Sequence, residues 1–153
     1  MKILNKANVF WGAVATIGTA LFGKYWFLFF GFLVLNIIDY FTGLVKAKFF
    51  LKNVSSLRGA QGILKKVMYW LVIGIAFYIS ACFTEMGEML GINLSFVIIF
   101  GWFTLATYMI NEIRSIFENL VAMGIHIPPF LIKGLDITEK MIQTKTEDNS
   151  IIE

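Results

Sequence analysis

Asp39 is the one charge in the apolar run from Tyr25 to Val45. A carboxylate inside hydrocarbon costs several kcal/mol unless it is neutral, paired or wet. Its chemistry is therefore that of a polar group turned toward neighbouring helices or a water-filled lesion, or of a protonated or snorkelling acid that only assists helix packing. Thr42 and Gly43 follow it and are the other intramembrane candidates. Glu85 and Glu88 have the spacing of an acid and base pair but no polar partners around them, and read as a solvated loop. His126, beside two prolines, reads as a surface residue, and Cys82 as a small packing residue within an apolar run. One His and one Cys cannot build a typical zinc site. There is no HExxH, GxSxG, P-loop, CxxC or dinucleotide fingerprint. The expectation is no catalytic residue, no cofactor, no metal and no nucleic-acid partner.

The elements that must hold Asp39 follow from composition. Of 153 residues, 58% are hydrophobic and 15% charged, with a mean hydropathy of +0.76. A water-soluble domain needs more polar residues to cover its surface. A bilayer core about 30 Å thick takes roughly 20 helical residues to cross. Four stretches qualify: residues 7–23, 25–45, 67–83 and 89–110. As one helix, residues 7–45 would reach about 60 Å, twice the hydrocarbon thickness. A turn is expected at Gly23 and Lys24, and a shallow first helix would leave three spans. Lys2 and Lys6 before an apolar run also resemble a signal peptide, but an uncleaved first span fits better because a second apolar segment starts at once.

Charge orients these spans. The loop between the second and third carries Lys46, Lys48, Lys52, Arg58, Lys65 and Lys66 and no acid, so it belongs in the cytoplasm, against anionic headgroups. The acidic Glu85 and Glu88 then fall outside, and both termini inside. After the last span, Ile113, Ile116, Phe117 and Leu120 recur at helical spacing, which predicts an amphipathic helix over 111–123 ended by Gly124 and the Pro128-Pro129 pair. Residues 1–143 make one membrane domain, and 144–153 a polar tail.

Small residues recur every four positions at Gly12, Thr16 and Ala20, with Ala15 and Thr19 beside them, and again at Ala76 and Ser80. Such rows let helices approach closely in lipid, either between copies of the chain or within one copy.

The run Asp39-Tyr40-Phe41-Thr42-Gly43, then Ala47, Ser55-Ser56, Gly59, Gly62 and Lys65-Lys66, resembles the phage lysis and toxin-secretion holin family. The resemblance continues through Asn111, Glu112, Ser115, Glu118, Asn119, Gly124 and Pro128, over roughly residues 30–135. It implies a homo-oligomer in the bacterial cytoplasmic membrane, or the host's if phage-encoded. Such a protein opens lesions that release an endolysin or a toxin, and an antiholin can be its partner. Many relatives carry an acid in the third span, where this chain reads Ser80-Ala81-Cys82-Phe83. The next methionine in the chain is Met68, so an inhibitor made from a second early start is not visible. The expected fold is an all-α bundle of four transmembrane helices, or three, with a cytoplasmic amphipathic helix. An antiholin, or a small transporter or anchor that makes no pore, would share these features.

Overall fold

Gly23 takes a left-handed backbone with φ of 69° in the computed structural model, so the chain turns where the sequence expects. The structure describes the backbone of residues 2–52 and 54–150 and the side chains of residues 8–17, 19, 23–52 and 54–144. Among these the protein is all-helical, with five α-helices: α1 (Lys2–Phe22), α2 (Trp26–Val45), α3 (Ser56–Leu90), α4 (Ile98–Ala122) and α5 (Pro129–Ser150). Two compact units divide it, Met1–Val34 and Leu35–Glu153.

In the first unit, α1 is followed by the tight turn Gly23–Tyr25. Val9, Phe10, Trp11 and Ile17 are exposed. Among the described residues three helical stretches are long and apolar enough to cross a membrane: Gly23–Phe50, Ser56–Leu90 and Ser95–Ala122. The described apolar part of α1, Asn8–Ile17, is shorter.

The core of the second unit is an antiparallel pairing of α3 with α4. Residues of α3 spaced three and four apart lie on one face, and that face carries Lys66, Tyr69, Ile73, Phe77, Ser80 and Gly87. Tyr69 stacks on Tyr108 with ring centroids 4.3 Å apart. Phe77 meets Trp102 edge-on at 5.0 Å. Ile73 and Leu105 are fully buried. Ser80 donates from Oγ to the Val97 carbonyl at 2.9 Å. Gly101 permits this closeness, since a Cβ there would stand 2.7 Å from the Phe77 ring. Much of the opposite surface is apolar and exposed, including Leu71, Ile75 and Tyr78. Lipid, not water, suits that surface.

Helix ends depart from the sequence expectation in four places. The third span, expected over 67–83, is the interior of a 35-residue helix that begins at Ser56. Arg58, Lys65 and Lys66 therefore stand on the first turns of α3 and not in a loop. α3 continues through Met89 and Leu90 until Gly91, whose φ of 70° is incompatible with a helix interior, and Ile92 then bonds back to the Gly87 carbonyl at 2.9 Å. Asn93 organises the turn by accepting from the Ser95 amide at 3.1 Å, and α4 starts at Ile98, not at 89. The amphipathic segment expected over 111–123 is the second half of α4, because no glycine or proline breaks the helix after Ile110. Gly124, with φ of 82°, ends it as expected. Pro129 opens α5, which runs to Ser150 and takes in most of the segment expected as a tail.

Candidate functional site

α2 brings Asp39, Thr42 and Lys46 to one side by helical spacing. Lys46 begins a five-residue π-helical turn, Lys46–Phe50, that continues α2. Lys66 comes from α3, where the apolar part of that helix begins. Glu112 and Asn119, two helical turns apart, come from α4. These six side chains form one network.

Lys66 sits at its centre. Its ammonium donates to Asp39 Oδ2 at 2.8 Å and to Glu112 Oε2. Asn119 Nδ2 donates to Asp39 Oδ1 at 3.0 Å and to Thr42 Oγ1 at 3.2 Å. The Thr42 hydroxyl in turn donates to the Asp39 carbonyl at 3.0 Å. Lys46 donates to Asn119 Oδ1. Gly43 faces the same amide, and a Cβ there would make an ordinary contact with Asn119 Nδ2 at 3.6 Å.

The side chains of Lys66, Asp39 and Glu112 are only 15%, 14% and 3% exposed. Burying an ion costs several kcal/mol, and only a partner with good geometry offsets that. Here both carboxylates face Lys66, Lys46 rests on the Asn119 amide, and both oxygens of Asp39 are used. The acid that sequence left as paired, wet or protonated is paired. The network also does mechanical work, since it ties α2 to the α3–α4 pair by charge.

The remaining candidates distribute around this centre. Asn111, Ser115 and Glu118 line a cavity of about 390 Å³ beside Lys66 and Glu112. Lys65 lies over the Tyr69 ring at 5.6 Å and Lys48 over Phe49 at 5.4 Å. Lys52 and Arg58 are exposed, and Lys52 turns the chain toward α3 with φ of 48°. Pro128 lies in the short link before α5. Gly12, Thr16 and Thr19 are exposed and Ala15 half-buried, while the side chain of Ala20 lies outside the described residues. Ser80 is buried against α4, and Ala76, half-buried, gives its carbonyl to the Ser80 hydroxyl at 2.8 Å. Ser80 of that row faces the start of α4 through the Val97 carbonyl.

Sequence reasoning also missed the contact of α5 with α4. Arg114 donates to Asp136 at 2.9 Å and Glu139 at 2.6 Å, which fastens α5 to α4. The spacing of Asp136 and Glu139 on one helical face was the available signal.

The comparisons with known proteins bear on this arrangement. A sequence profile of the bacteriophage holin family matches residues 16–140. The chain belongs to that family. All six network residues fall inside the matched region. A probable holin of Bacillus phage phi105 is 36% identical over 115 residues, covering 75% of this chain and 76% of that protein. An uncharacterised protein of Halalkalibacterium halodurans is 33% identical over 130 residues, 83% of this chain and 90% of that protein. Another, YqxH of Bacillus subtilis, is 34% identical over 107 residues, 70% and 68% of the two chains. No solved structure matches this one. Family membership accords with apolar helices in a membrane, and holins are not an enzyme family.

Proposed function

We propose that this chain is a holin: a multi-pass protein of the bacterial cytoplasmic membrane that oligomerises there and opens lesions releasing an endolysin or a toxin. In this reading α1 adds a fourth span, both termini are cytoplasmic, and the basic residues around the start of α3 face the cytoplasm, opposite Glu85 and Glu88. The small-residue row of α1 at Gly12, Thr16 and Ala20 serves contact between copies. The lesion-forming polar face is the Asp39 network.

The observation that carries this reading is the charge balance of that network. The network holds two acids and two lysines: Lys66 pairs with both acids and Lys46 rests on the Asn119 amide, inside helices whose other faces are apolar. A single copy can therefore rest in the bilayer with its polar groups hidden. Separating α2 from α3 and α4 would turn the same groups toward water in an assembled lesion, which fits a protein that accumulates before it permeabilises.

Controlled expression in a bacterium tests this. The expected result is an abrupt loss of membrane potential after a delay, followed by lysis when an endolysin is supplied. Slow growth inhibition with the potential intact would overturn it. A second reading draws on the same network, because both of its acids are already paired with Lys66: an antiholin, or an anchor or transporter, would keep it closed permanently. Expression without any other phage protein separates them, since neither an antiholin nor an anchor depolarises by itself.

A further inference from the structure

Next to the Asn111 cavity, and sharing Asp39, Gly62, Lys66 and Ser115 with it, lies a groove of about 410 Å³ between the end of α2 and the start of α3. Its charged lining is Lys46, Arg58 and Lys66 against the single carboxylate of Asp39. Lys66 is paired with Asp39 and Glu112, so Lys46 and Arg58 give the groove its positive charge, whereas the neighbouring cavity mixes both signs. Lys46 donates to a neutral amide oxygen, so that contact leaves its charge uncompensated.

The walls have a different chemistry. Leu44, Leu51 and Val54 line the groove and are themselves exposed. A small inorganic anion would gain nothing from them. Gly59 and Gly62 leave the groove open: a Cβ on Gly62 would meet nothing within 4 Å, and one on Gly59 only the Tyr40 hydroxyl at 3.9 Å. Ser55, the residue preceding α3, makes no side-chain capping bond, so the first amides of that helix add to the positive field.

The position matches the wall chemistry. The apolar part of α2 ends at Val45, and that of α3 begins at Val67, just past Lys66. With α2 and α3 spanning a bilayer, the groove stands at the ends of their apolar runs, the level of lipid phosphates. We propose that it binds one anionic phospholipid, with the phosphodiester between Lys46 and Arg58 and an acyl chain along Leu44, Leu51 and Val54. Basic pockets between helices at a cytoplasmic membrane face recognise such headgroups. This site is independent of lesion formation: a chain that binds the lipid and never depolarises leaves it standing.

The test uses the full-length protein in detergent with mixed phosphatidylglycerol and phosphatidylcholine, and counts retained lipids by native mass spectrometry. One phosphatidylglycerol should be retained in preference to phosphatidylcholine. Arg58→Gln and Lys46→Gln should each weaken that retention about fivefold. Gly62→Leu, which fills the groove without backbone strain, should abolish it while the helical circular dichroism stays unchanged. Lys48→Gln removes an exposed cation outside the groove and should have little effect. Equal retention of the two lipids would overturn the proposal, as would a Lys48→Gln loss as large as that of Arg58→Gln. Displacement of the lipid by millimolar inorganic phosphate would overturn it too, by showing a simple anion site.

Discussion

At the Gly101 end of the α3–α4 pair, contact is made by shape: a missing side chain lets the Phe77 ring in, and the Ser80 hydroxyl closes on the Val97 carbonyl at 2.9 Å. At the Lys66 end it is made by charge, with one ammonium between two carboxylates. A steric fit has one good arrangement, and it fails outright when disturbed. An ion network can exchange partners, with water or with another copy, without any change in the fold of the helices themselves. In the proposed function the shape-packed end is the permanent joint of the molecule and the ionic end its releasable one.

Substitutions that act on one end only would separate these roles. Lys66→Met should have the largest effect, destabilising the protein by about 3–5 kcal/mol because two buried carboxylates lose their cation. Thermal unfolding in detergent reads it, and a wild-type midpoint would deny that the network bears on stability. Gly101→Leu should cost about 1–3 kcal/mol by overpacking against Phe77 in the same assay. A neutral result would mean that the helices separate there at little cost, contrary to the joint. Ser80→Ala, which deletes one interhelical bond, should cost about 0.6 kcal/mol.

Arg114→Ala should change global stability least, by about 0–1 kcal/mol, since its carboxylate partner Asp136 is 51% exposed. Hydrogen exchange in α5 should nonetheless accelerate. Raised salt should mimic this variant and leave the Lys66 contacts largely intact, because exposed pairs are screened more than buried ones. Equal salt sensitivity at the two sites would remove the distinction between them.

Much of this was legible in the chain. Helical membrane character follows from long apolar runs, and the turn at Gly23 from the length limit that a bilayer imposes. Asp39 declared its need for a partner by its setting alone. The partner was not legible, because Lys66 sits among basic residues that a charge argument assigns to a loop. The first turns of α3, from Ser56 to Lys66, are too polar to read as a span, yet they continue the helix beneath it. Glu112 and Asn119 stood out only through the family pattern, since a sequence does not show which face of α4 meets α2. Ser80 was ambiguous for the same reason, as small-residue rows look alike whether they pack within one chain or between two.

The central claim is that the Asp39 network holds the quiet form of a lesion-forming protein. It is tested most directly by the interval between induction and loss of membrane potential in cells making equal amounts of wild-type protein and the Asp39→Asn variant. Removing one of the two acids weakens the tie from α2 to α3 while the Lys66–Glu112 pair remains. The account predicts a shorter interval for the variant, with membrane insertion unchanged. An interval the same as wild type would contradict it and leave Asp39 a packing residue.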